Sequence, residues 1–125
     1  MLFFKRVKNR KGQALVELAL SVLIMLGIML GIAEFGWLFK SYIVVTNASR
    51  EAARRAAVDT DYGGIQTDIA AKYPPVTVVI TPGGGNVTAV ASQDYEMITP
   101  VGDLLELGLG DSINIVITTV MKSET

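Results

Sequence analysis

With 125 residues and neither cysteine nor histidine, the chain has room for one small domain, and disulfides, thiolate or imidazole metal sites and Ser-His-Asp or Cys-His nucleophiles are excluded. The formal charge of -1 hides a split: five of the eleven cations fall in residues 1–12, and the remainder sets six cations against twelve anions. So acidic a remainder lacks the basic face that nucleic-acid binding needs. The leftover carboxylates, lysines, tyrosines and hydroxyls form no catalytic motif, so neither an enzyme nor a cofactor site is expected.

Lys5, Arg6, Lys8, Arg10 and Lys11 form a basic leader over residues 1–12. Cations of this kind resist crossing a bilayer and hold the N-terminus at the cytoplasmic face. Leu18 to Ala33 then carries no charge, and Phe35, Trp37, Leu38 and Phe39 prolong the apolar run to Lys40. Ala14 to Phe39 as a helix spans about 39 Å at 1.5 Å per residue, enough for a hydrocarbon core of about 30 Å with some tilt. The mean hydropathy of +0.44 thus comes from one segment, as in an anchored protein. Trp37 and Tyr42 suit an aromatic belt, placing the outer boundary between Glu34 and Lys40, with Glu34 expected to snorkel outward. A secretory signal peptide would have a shorter apolar core and an A-x-A-like cleavage site. An uncleaved anchor accounts for cations, length and belt, yet gives no reason for Glu17 at the start of the span, where an ionisable group is by default functional. Gly27 and Gly31 form G-x-x-x-G, which lets two helix backbones approach, and with Ala14 and Ser21 they suggest helix packing.

From Tyr42 to Val58 there is no Gly or Pro, and Ala48, Ala52, Ala53, Ala56 and Ala57 make a small-residue stripe beside Arg50, Arg54 and Arg55. One helix over residues 13–58 is predicted, ended by Asp59, Asp61, Gly63 and Gly64. The three arginines suit a solvated face better than lipid phosphates or an acidic partner. The head over residues 59–125 begins with a short helix, Ile65 to Lys72, stopped by Pro74 and Pro75. The β-branched run Val76 to Thr81, the turn Pro82 to Gly85 and the stretch Asn86 to Tyr95 predict a hairpin. Its second strand faces Val87, Ala89 and Ala91 inward, or else the opposite set with Val90. Thr99 to Gly110 reads as loop with one helical turn near Leu104, Leu105 and Leu107. Ser112 to Met121 reads as a last strand that could pair with either of the others. The fold class is α+β: a long N-terminal transmembrane helix continuing into a small head with a three-stranded, mainly antiparallel sheet.

Gly12 followed by Gln-Ala-Leu-Val-Glu17 resembles the cleavage region of type IV prepilins. More specifically, G-Q-A-L-V-E-L-A-L, then G-I-A-E-F-G-W-L-F, then V-T-N-A-S-R-E-A-A-R-R-A-A resembles the TadE-like family of the tight adherence (Flp pilus) system, as does the ending V-I-T-T-V-M-K-S-E. The likeness covers residues 11–58 well and the head loosely. One departure is Ser21-Val22-Leu23, where many members have a proline. The resemblance implies a pilin-like minor subunit or pseudopilin of the inner membrane, taking part in assembly of an adhesive pilus with related subunits and the assembly machinery. It further implies that a prepilin peptidase cuts after Gly12, so that Gln13 becomes the N-terminus and Glu17 pairs with the terminal amine of a neighbour. The competing reading is an uncleaved single-pass protein whose head scaffolds or binds a partner of a secretion or envelope complex.

Overall fold

The structure is a computed structural model and describes residues 10–109 and 112–124. The leader residues Lys5, Arg6 and Lys8 lie outside them. Helix α1 runs unbroken over Arg10–Val58; these 49 residues extend about 73 Å at 1.5 Å per residue. Ser21 donates its hydroxyl to the Glu17 carbonyl at 2.8 Å.

Two different surfaces share this helix. From Leu15 to Ile32 its large apolar side chains are exposed, whereas Val45, Ala48, Ser49, Ala52, Ala53 and Ala56 have no solvent exposure. The alanines are what allow a sheet to lie against the helix backbone, because a larger side chain would hold the two apart. Helix α2 (Tyr62–Lys72) buries Ile65 and Ile69 in the same core. Its start is capped by Asp61, whose carboxylate accepts from the Gly64 amide at 3.1 Å, satisfying one orphan donor of the first turn. Gly63 and Gly64, expected to end α1, thus belong to the first turn of α2.

Strands β1 (Thr77–Gly83), β2 (Asn86–Tyr95) and β3 (Ile113–Lys122) form an antiparallel sheet in the order β1-β2-β3. Gly83 pairs with Asn86 across a two-residue turn in which Gly84 and Gly85 have φ of 60° and 78°. Positive φ at both positions gives the hairpin its twist and is accessible to glycine without strain. The two facings left open for β2 resolve in favour of Val87, Ala89 and Ala91 inward, joined by Tyr95. The third strand pairs with β2 over its whole length, from Asn86 opposite Lys122 to Tyr95 opposite Ile113. The seven-residue β1 is too short to match it, and β1 is flanked by α2.

The segment expected to be mostly loop is instead helix α3 (Pro100–Leu109). Thr99 caps it, its hydroxyl accepting from the Gly102 amide at 3.3 Å, and Pro100 takes the first helical position, where its missing donor costs nothing. Its glycines at 102 and 108 oppose a helix by propensity. Gly102 is explained by crowding, since a Cβ there would collide with the Cβ of Met97. At the other end of the head, the Ser123 and Glu124 amides donate to the carbonyls of Gly85 and Ala57, each at 2.9 Å, tying the chain's end to the hairpin turn and to the top of α1.

Candidate functional site

Two places on α1 combine charge with apolar surroundings. The first is the bare stretch beneath the head. Gln13 and Glu17 are exposed, and Gly12 lies inside α1, half-buried. Around Gly27 and Gly31 a Cβ would meet nothing within 4 Å, so the groove they offer is open. At about 100° per residue, Glu17, Gly27 and Gly31 fall within a sector of about 80°. That sector continues upward into the face on which the head packs, because Gly31 borders the same hollow as Glu34, Leu38, Tyr95 and Met97. Ser21 and Ala14 fall outside that sector, about 40° and 60° beyond Glu17, and below Gly31 the helix is uncovered.

The second place escaped the sequence reading. Glu34 does not snorkel: it is only 7 % exposed. Its carboxylate accepts from the Tyr95 hydroxyl at 2.7 Å, from the Ile98 amide at 3.1 and 3.3 Å, and from the Thr99 amide at 2.8 Å. The physical logic is that a carboxylate inside apolar surroundings must find donors, and the chain just before α3 supplies the amides of Ile98 and of the cap residue Thr99. One side chain therefore fastens the far end of β2 and the start of α3 to α1. The sequence did offer two clues, a glutamate in an apolar run and a tyrosine in the inward register of β2, but nothing local joins residues 61 apart.

Burial, reinforced by the hydrogen bond to Glu34 and the charge of that carboxylate, pushes the Tyr95 hydroxyl up to about 12. A tyrosine whose pKa is raised on folding contributes stability that is complete below the unfolded value near 10 and is lost as pH climbs toward 12. We expect the head to lose about 2–3 kcal/mol of stability across that window. Tyr95→Phe should flatten this part of the curve in pH-dependent unfolding of the full chain; an unchanged slope would assign it to other groups.

Higher on α1, Glu51 accepts from the Lys72 ammonium at 2.8 and 2.9 Å, from the Tyr73 hydroxyl at 2.8 Å and from Arg55 at 2.6 Å. The Lys72 bond above all, then that of Tyr73, holds its carboxyl below the ordinary range. This cluster fastens α2 to α1, so Arg55, which also approaches Asp68 at 3.8 Å, is a structural residue rather than part of a free basic face. Arg50 and Arg54 are exposed and make no ion pair among the described residues. Arg50 stands 16 residues beyond Glu34, about 24 Å along the helix, too far from a bilayer edge at Glu34 to reach lipid phosphates. Among the described residues no group of acidic side chains could hold a metal ion.

Among the described residues one helix is long and apolar enough to cross a membrane, and its apolar window is wholly unburied. Residues 12–54, about a third of the chain, match the family model for TadE-like protein. No curated protein and no solved structure matches the chain. The matched stretch contains Gly12, Glu17, Gly27, Gly31 and Glu34 and stops within the alanine stripe, so it covers the apolar span and part of the surface on which the head rests.

Proposed function

Starting from the TadE-like stretch over residues 12–54, we propose that this chain is a pilin-like minor subunit or pseudopilin of a tight-adherence pilus system. It sits in the inner membrane as a single-pass protein, with the basic leader of residues 1–12 cytoplasmic and the head of residues 59–125 extracytoplasmic. It takes part in assembling the pilus by packing its helix, residues 13–58, against related subunits. A prepilin peptidase cuts between Gly12 and Gln13. Glu17 then meets the terminal ammonium of a neighbouring subunit, since the two charges neutralise each other where each alone would be costly. The observation that carries this reading is the arrangement of Glu17, Gly27 and Gly31 on one uncovered face of α1. A helix used only as an anchor needs neither the open glycine groove nor the carboxylate.

Glu17→Ala separates the two readings. Assembly predicts that the variant still inserts and folds while pilus-incorporated protein falls about tenfold or more, since the neighbour's ammonium is left unpaired in the membrane. Unchanged assembly would favour the uncleaved anchor with a scaffolding head. N-terminal sequencing of protein from its native cell tests the cleavage separately: a mature chain starting at Gln13 supports it, and an intact leader sinks it.

A further inference from the structure

Helix α3 and the chain entering it carry apolar side chains that the core does not use. Ile98 is 64 % exposed, Leu104 74 % and Leu107 92 %, and Leu104 and Leu107, three apart, share one face of α3. Scattered exposed leucines on a water-facing head would need no explanation. The start of α3 is held at a defined height. Glu34 accepts from the amides of Ile98 and Thr99, so α3 begins level with Glu34 on α1. Glu34 is 20 residues beyond Ala14, about 30 Å along the helix, which is the thickness of a hydrocarbon core. At the same level Phe35, Trp37 and Phe39 are exposed, and the Lys40 ammonium lies 5.0 Å over the Trp37 ring, as at a boundary between lipid and water. Between the foot of α3 and α1 lies a hollow of about 220 Å³ whose lining includes Gly31, Phe35, Leu38, Met97 and Val101.

We propose that α3 lies in the head-side leaflet of the bilayer that α1 crosses, with its Leu104 and Leu107 face among the acyl chains. The inference rests on α1 being the membrane span. Charge defines the kind of lipid contact: residues 73–121 contain no Lys or Arg while α3 carries Asp103 and Glu106, so anionic headgroups repel α3 and leave its leucines as the means of insertion. Its insertion is apolar and independent of salt, unlike that of a basic interfacial helix. The Glu34 clasp and the inserted leucines together fix the head's tilt on the membrane.

The chain's lack of cysteine makes a site-specific test direct. The full-length protein is reconstituted at high lipid-to-protein ratio in phosphatidylcholine vesicles, and single variants Leu107→Cys and Leu104→Cys carry a fluorophore quenched by lipids with a spin label on the upper acyl chain. Ile28→Cys, in the bare span, and Val120→Cys, on the outer face of the sheet, are the references. The proposal predicts quenching at Leu107 and Leu104 about threefold stronger than at Val120, undiminished in high salt, and weakened when phosphatidylglycerol, whose charge repels Asp103 and Glu106, replaces phosphatidylcholine. Quenching at Ile28 but only the Val120 level at both leucines overturns it while leaving the span intact. Leucine labels shielded from water without lipid quenching, and released as protein is diluted in lipid, overturn it in favour of contact with a second copy. No quenching at Ile28 removes the span and the proposal with it.

Discussion

Replacing Glu34 by alanine should detach the foot of the head from α1, at a cost of about 2–4 kcal/mol. The magnitude follows from what is left behind. The Tyr95 hydroxyl and the Ile98 and Thr99 amides lose a charged acceptor, and hydrogen bonds to charged groups are the stronger kind. Water can rehydrate part of the loss at Ile98, which is exposed, but not easily at Tyr95, which is buried. Hydrogen exchange should show accelerated exchange at Ile98 and Thr99 and through α3, while the amides pairing β2 with β3 keep their protection. Glu34→Gln retains one carbonyl acceptor but turns an NH₂ toward donors, so it should fall between wild type and alanine. Protection at Ile98 and Thr99 that survives Glu34→Ala would show that apolar contacts with Met97 and Val101 hold α3 without the carboxylate.

The second large effect concerns the alanine stripe. Ala52→Leu should destabilise the head by about 1–3 kcal/mol, the usual cost of overpacking a filled core. Ala52 has no solvent exposure, and the sheet cannot easily retreat. It is pinned to α1 from the next turn down by the Ser49 hydroxyl, 3.2 Å from the Ala89 carbonyl and 2.6 Å from the Thr119 hydroxyl. Arg54→Leu, two positions on and exposed, adds the same side chain to the opposite surface and should change stability by less than about 0.5 kcal/mol. Thermal melts followed by the β-sheet circular dichroism signal, in the same detergent for both variants, make the comparison. Equal melting points would mean that the sheet does not rest on the stripe as tightly as its burial indicates.

These two sites show why some of the molecule was legible in its residues and some was not. The helix from residue 13 to Val58, the hairpin with Gly84 and Gly85 at its turn, and the last strand rest on local physics: propensity, hydrophobic period and backbone freedom at glycine. The long apolar span was legible for the same reason, and the TadE-like match falls on that stretch. Helix α3 is not legible locally because two glycines oppose it, while its support comes from the Thr99 cap, the Pro100 start and the packing of Met97 into the space beside Gly102.

The sequence by itself determined the division of labour along this chain: a basic leader, an apolar span with a carboxylate near its start, an alanine-faced helix above it and a small β-rich head. Those properties depend on composition and on spacings of a few residues. Tertiary structure alone decided that β3 pairs with β2, that the head reaches down to the edge of the apolar span, and that Glu34 is a buried clasp rather than a charge turned to water. Each of these depends on groups distant in the chain meeting in space, and a buried carboxylate selects its partners by the donors that the fold brings to it rather than by any pattern around it.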